Sequence, residues 1–226
     1  MSPRPASGRC GRAAGRRAGW LAVSAFVLLA VLTLWVTRTP GHLLPTDASL
    51  HSWSVAHRPA PAAASARAVT DTGTGVIPYA ALLTVGMYVG RTAHRRCGVA
   101  LALMLCLGAG QALRYAAMSL VARQRPPVGD WAAHASGWSF PSGHTTTAAM
   151  TAALVIAALS LGSRRAPRIA VVLIGSWGVA VGLTRVYLGV HWFTDVLAGW
   201  LFAIGWVCLV VWAYLRWAPS SVRREP

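Results

Sequence analysis

Six apolar runs alternate along the chain with short stretches rich in Arg, Pro, Gly and Ser. A run of about 20 apolar residues crosses the hydrocarbon of a bilayer as a helix, which satisfies its own backbone polar groups without water. The first run, 20–36, reaches about 25 Å at the helical rise, and Trp20 and Trp35 stand near its ends as interfacial anchors do. The others fall at 75–90, short and glycine-containing; at 98–121, with Gln111 and Arg114 inside it; and at 143–161, threonine-rich in its first turn. The last two are 169–188 and 196–215. The pattern predicts an all-α, polytopic membrane protein with six transmembrane helices.

Between the runs the chain is polar. Residues 1–18 form a Gly- and Ala-rich tail with Arg4, Arg9, Arg12, Arg16 and Arg17, expected to be disordered. The 37–74 stretch holds Pro40, Pro45, Pro59 and Pro61 and reads as a loop. Within it Thr46 and Asp47 mark a helix start, and Leu50, Trp53 and His57 recur at intervals of three and four. That predicts a short amphipathic helix lying on the membrane surface. A second loop, 123–140, carries Pro126, Pro127, Asp130 and His134, and a tail, 218–226, follows the last run.

Charge supplies the expected orientation. The amino-terminal tail, the 91–96 and 163–168 segments and the carboxyl-terminal segment hold 5, 3, 3 and 3 arginines. They alternate as six helices with both termini cytoplasmic require, since cytoplasmic loops collect positive charge. Segments 37–74, 123–142 and 185–195 then share the outer face. All 21 basic residues are Arg, and only Asp47, Asp71, Asp130, Asp195 and Glu225 oppose them, for a net charge of +16. Because the arginines gather at the ends of apolar runs rather than along one polar face, anionic lipid headgroups are the expected partner and nucleic acid is not. Cys10, Cys97, Cys106 and Cys208 show neither a disulfide framework nor zinc-ligand spacing. The 20–36 run lacks a clean small-residue cleavage site before Arg38, so it is expected as a signal-anchor helix.

Candidate chemistry concentrates on that outer face. A helix starting near His191 puts Asp195 one turn on, within reach of a ring nitrogen: a nucleophile or base with its orienting carboxylate. Pro-Ser-Gly-His at 141–144, opening an apolar helix, is an anion site made of free amides, the Ser142 hydroxyl, a close approach at Gly143 and the His144 imidazole. Arg125 and Arg185 supply planar forks that match phosphate geometry. One histidine attacking while the other protonates the leaving oxygen suits phosphoryl transfer through a phosphohistidine, with no metal. Asp130 and His134 read as solvated or rim groups, and the eleven tryptophans mainly as interfacial belts. Trp138, Trp192 and Tyr187 either line a lipid entrance or pack.

Arg125-Pro126, Pro-Ser-Gly-His at 141–144 and R-x5-H-x3-D at 185–195 resemble the three signature motifs of the type 2 phosphatidic acid phosphatase (PAP2) superfamily, which contains lipid phosphatases and vanadium haloperoxidases. The flanks V-A-R-Q-R-P-P, W-S-F-P-S-G-H and R-V-Y-L-G-V-H-W-F-T-D-V-L-A-G-W extend the resemblance over about 45–216. It implies a PAP2-like six-helix domain over 19–217 with His191 as nucleophile, Asp195 orienting it and His144 as general acid. Arg125, Arg185, Ser142 and the Gly143 amide would hold phosphoryl oxygens, with no metal and no cofactor. The implied substrate is a membrane lipid phosphate or diphosphate: a prenyl diphosphate such as undecaprenyl diphosphate, which an outward site favours, phosphatidate or phosphatidylglycerol phosphate. The implied location is a bacterial plasma membrane.

One position departs from the family pattern. Its first motif is K-x6-R-P, and counting back from Arg125 places Met118 at the lysine. Losing one charge-stabilising donor typically costs about 3 kcal/mol. Arg114, one turn deeper, and Arg123, in the loop, are the candidate replacements. The Cα–Cβ bond of Arg114 tilts toward the helix amino end, away from the site, and its other role would be to partner Gln111. Two further functions therefore stay open: a non-catalytic or repurposed lipid-phosphate binder, and a phosphotransferase with an acceptor other than water. The haloperoxidase branch, of larger soluble chains, fits less well.

Overall fold

The computed structural model describes residues 7–38, 44–162 and 167–217, and every regular element within them is helical. In order these are α1 (Ser7–Arg38), α2 (Pro45–Ala56), α3 (Ala60–Asp71), α4 (Val76–Val89), α5 (Ala93–Val121), α6 (Gly143–Leu161), α7 (Arg168–Tyr187) and α8 (Phe193–Trp217). A 3-10 turn, Val128–Asp130, interrupts the loop between α5 and α6. Among the described residues, five helices, α1, α5, α6, α7 and α8, are each long and apolar enough to cross a membrane, and α3 with α4, bent by 49° at the break between them, pass the same test when taken together, for up to six crossings. The chain is a multi-pass membrane protein.

Three expectations need correction. Residues 7–18, expected to be disordered, are the first turns of α1, while residues 1–6, 163–166 and 218–226 lie outside the described residues. The second crossing is not 75–90 alone, because the 14-residue α4 covers only about 21 Å. The rest comes from α3, inside the stretch read as loop. Pro59 and Pro61, which suggested a break, sit at its N-cap and first turn, where a missing N–H costs nothing. Lastly, α2 buries a polar face, Asp47, His51 and Ser54, and leaves Trp53 55% exposed. It packs on α7 and α8 through the side opposite to the one its apolar spacing suggested.

Helix α6 lies at the centre, against α4, α5, α7 and α8, with α1 running along α8. Its Met150, Leu154 and Val155 meet Leu82 of α4, Leu107 of α5 and Phe202, Ala203 and Val207 of α8. In lipid such contacts gain from close van der Waals fit rather than from removal from water, so small residues mark the tightest crossings. Gly199 of α8 is one: a β-carbon there would stand 3.0 Å from Thr145 Cβ and Thr146 Oγ1.

The ends of α5 and α7 and the starts of α3, α6 and α8 meet at one end of the bundle. Helix α5 stops where Ala122 turns left-handed (φ 47°) and donates its N–H to Met118 O. The loop beyond it is tied down. Ser139 donates its amide to Arg123 O, Trp131 Nε1 donates to Pro126 O, and Arg58 and Arg67 donate to the carbonyls of Asp130 and Ala132. On the far side Ala132 N–H reaches Leu188 O. Gly189 follows with φ 72°, where a β-carbon would collide with Asp130 O at 2.5 Å.

Because an L-residue in the left-handed region is strained by about 1–2 kcal/mol and glycine is not, Ala122→Gly is expected to raise stability by about 1 kcal/mol. Thermal unfolding in detergent checks this, and an unchanged or lower midpoint contradicts it.

Candidate active site

Helix α8 begins at Phe193, which puts His191 just outside its first turn and Asp195 inside it, where the helix dipole favours a carboxylate. Asp195 Oδ2 accepts the Trp192 amide at 2.9 Å and faces His191 Nδ1 at 3.3 Å. Its other oxygen accepts Arg123 Nη1 at 2.6 Å. Arg123 Nη2 in turn donates to Asp47 Oδ2 at 2.8 Å, and Asp47 also accepts the Thr194 amide (2.9 Å) and hydroxyl (2.7 Å). Arg123, a candidate for phosphate, is thus committed to two buried carboxylates. Asp47, which the sequence offered only as a helix start, is the anchor of α8's first turn.

Arg125 uses every N–H it has. Nε donates to Gly137 O, Nη2 to Ser136 O and Trp138 O, and Nη1 to Val190 O (2.8 Å) and His191 Nε2 (2.9 Å). A guanidinium can only donate, so Nε2 is the acceptor and the imidazole proton sits on Nδ1, toward Asp195. His191 is 2% exposed. Burial is the largest influence on its pKa and pushes it from 6.5 down to about 4; Arg125 and Arg185 act in the same sense and Asp195 opposes them. Burial likewise lowers Arg125 below the usual arginine value, with Asp195 opposing. His191 is therefore neutral near pH 7, its basic nitrogen facing the site.

Across from it α6 opens. The Ser142 amide donates to Asp195 O at 3.0 Å, which joins the starts of α6 and α8. Ser142 is fully buried and its Oγ accepts from Thr145 Oγ1 at 2.9 Å. Thr146 N–H is the first amide of α6 to find a carbonyl, Ser142 O, so those of Gly143, His144 and Thr145 are the free donors of a helix start. His144 has Arg185, His191, Arg125 and Arg114 as electrostatic neighbours. Arg185, 2% exposed, donates to Thr70 Oγ1 of α3 at 3.2 Å. Arg114, 3% exposed, folds back toward α5's end: Nη1 lies 3.3 Å from Met118 Sδ and its guanidinium carbon 3.6 Å from the Tyr115 ring centre. The side chain is long enough to outweigh the direction of its Cα–Cβ bond.

The rim differs from the expected one in two ways. Asp130 is not simply solvated but pairs with His51 Nε2 at 2.9 Å, whereas His134 is exposed. Trp192 is buried, donates to Gln124 O and lies against His51, while Trp138 is 43% exposed. Tyr187 donates its hydroxyl to His57 O.

Fold and site together define a multi-pass helical membrane protein with an anion-receptive centre at one end of its bundle. The model of the PAP2 superfamily matches residues 98–219, more than half of the chain, and the protein belongs to that superfamily. Phosphatidylglycerophosphatase B of Bacillus subtilis (strain 168) is 32% identical over 134 residues, 58% of this chain and 62% of that protein. The protein of the same name from Escherichia coli (strain K12) is 36% identical over 81 residues, 36% of this chain and 31% of that one. The matched region thus spans less than two thirds of the length of these relatives. The crystal structure of the transmembrane PAP2 type phosphatidylglycerolphosphate phosphatase from Bacillus subtilis aligns with a TM-score of 0.74 and 23% identity, over 92% of this chain and 100% of that one. It has the same fold.

Removing Asp47 leaves Arg123 with one carboxylate and strips α8's first turn of its acceptor. Asp47→Ala is expected to cost about 3–5 kcal/mol, as breaking a buried ion pair does. Denaturant unfolding in detergent measures it, and a loss below about 1 kcal/mol would reduce the pair to a surface-like contact.

Proposed function

We propose that this protein is an integral-membrane phosphatase that hydrolyses a lipid phosphate or diphosphate at the outer face of a bacterial plasma membrane, through a phosphohistidine on His191. The observation that carries the reading is the neutral His191 ring, its Nδ1 proton toward Asp195 and its Nε2 facing a centre of guanidiniums and free α6 amides. Arg125 Nη1 gives up its hydrogen bond to Nε2, whose freed lone pair attacks phosphorus; the bond from phosphorus to the lipid oxygen breaks, and His144 in its imidazolium form gives a proton to that oxygen. Water then gives a proton to His144 and attacks phosphorus, the P–N bond breaks, and inorganic phosphate leaves. Asp195 balances the charge on His191, while Arg185 and the Gly143 amide meet the charge that gathers on the phosphoryl oxygens. These groups do the work that a metal does elsewhere.

The outward direction is supported by Arg91, Arg95, Arg96 and Arg216, which lie at the bundle end opposite the site. Both termini are then cytoplasmic. The name of the curated relatives makes phosphatidylglycerol phosphate the first lipid to test, and a prenyl diphosphate and phosphatidate complete the panel.

Purified protein in detergent with EDTA is expected to release phosphate from at least one of the three lipids. His191→Ala abolishes release, and His144→Ala slows it by about 10²–10⁴-fold. Release that survives in His191→Ala, or stops on chelation, sinks the mechanism. Lipid binding without turnover would make the chain a binder, and turnover only with an added alcohol would make it a phosphotransferase.

The pH profile gives an independent check. His191 is depressed to about 4, so its attacking form persists below the ordinary imidazole range and is lost only as pH falls through that value. Corrected for the substrate's own ionisation, kcat/KM should show no acid limb of His191 near 6.5. Its contribution to stability follows the same sign: complete above 6.5 and falling between 6.5 and 4, where the unfolded chain binds the extra proton.

A further inference from the structure

A guanidinium withdrawn from water without an anion is costly, and in a transmembrane helix it marks a site. Arg114 is such a group. Among the described residues it has no ion pair, its Nε is buried without a hydrogen-bond partner, and its neighbours are the Met118 thioether and the side chain of Tyr115, whose ring it overlies and whose hydroxyl interacts with it. It is also aimed. A β-carbon on Gly143 would stand 3.4 Å from Arg114 Nη1, so the guanidinium lies against the helix start whose amides are free. Meanwhile Arg125 has spent its N–H groups on four carbonyls and on His191, leaving little for a ligand. Uncommitted donors at this centre belong to Arg114 and Arg185, whose Nε is likewise unpartnered.

We propose that Arg114 binds a non-bridging oxygen of the substrate phosphoryl group, completing with Arg185 and the α6 amides the cationic clamp that Met118 leaves one charge short. The inference rests on the phosphatase reading and deepens it. The contact at 3.3 Å between Arg114 Nη1 and Met118 Sδ says where the charge is delivered: about where an ammonium carried at 118 would stand. The chain supplies that charge from one turn below.

The test relocates the cation. Three variants, Arg114→Met, Met118→Lys and the double Arg114→Met/Met118→Lys, are compared with wild type for lipid phosphate release and for thermal stabilisation by orthovanadate, a tetrahedral phosphate mimic. Arg114→Met should lower kcat/KM by about 10²-fold and lose the vanadate stabilisation, while its ligand-free melting point holds or rises because an unpaired buried charge is gone. The double variant should recover most of both losses. A purely structural Arg114 predicts the reverse: a lower ligand-free melting point, vanadate stabilisation kept, and no rescue when Met118→Lys is added. Undiminished turnover in Arg114→Met also overturns the proposal. If wild type hydrolyses none of the lipids, the phosphatase reading fails, and the vanadate comparison alone then decides whether Arg114 is an oxyanion ligand.

Discussion

A charge taken out of water must find a partner, and this chain has very few anions to offer: five acids against 21 arginines. Two of the five, Asp47 and Asp195, are fully buried and share a single cation, Arg123. That shared pair of ion contacts is what the rest depends on. Arg123 neutralises one oxygen of Asp195 and leaves the other to the Trp192 amide and His191. Asp47 meanwhile fixes the first turn of α8, on which Asp195 sits. With those two carboxylates consumed there, Arg114 has no ion pair among the described residues and Arg185 has only the longer-range influence of Asp71, so the centre they face carries excess positive charge.

The same scarcity shapes the loops. Arg58, Arg67, Arg96 and Arg125 are satisfied by backbone carbonyls instead of side-chain acids. A planar donor fork that collects several carbonyls holds a turn in one shape. Residues 130–138, which carry no helix long enough to stabilise them, are held in this way, and Arg125, which grips three of their carbonyls, also holds His191.

The apolar runs make five of the six crossings legible, because hydrophobic length is a local property of sequence. The His191–Asp195 relation is legible too, being a helical spacing of four. What escapes is everything set by distant partners. Asp47 meets Arg123 across 76 residues and Thr194 across 147, and nothing near Asp47 in the sequence hints at either. Helix α3 is hidden because its alanines are neither apolar nor polar enough to mark a face and its prolines imitate a loop. The tilt of one bond misdirects the reading of Arg114, whose end position depends on a long side chain finding Met118 and Gly143. The one clue in hand is scarcity itself: in a chain with so few acids, each buried one is a candidate for function.

The Ser142 amide on Asp195 O ties the starts of α6 and α8 together, and the missing side chain at Gly199 lets the helices approach closely beside Thr145 and Thr146. Membranes of different thickness make their helices tilt and slide by small amounts. The Ser142 bond joins the two helix starts directly, so the spacing between the imidazole beside one and the imidazole on the other is set by protein contacts.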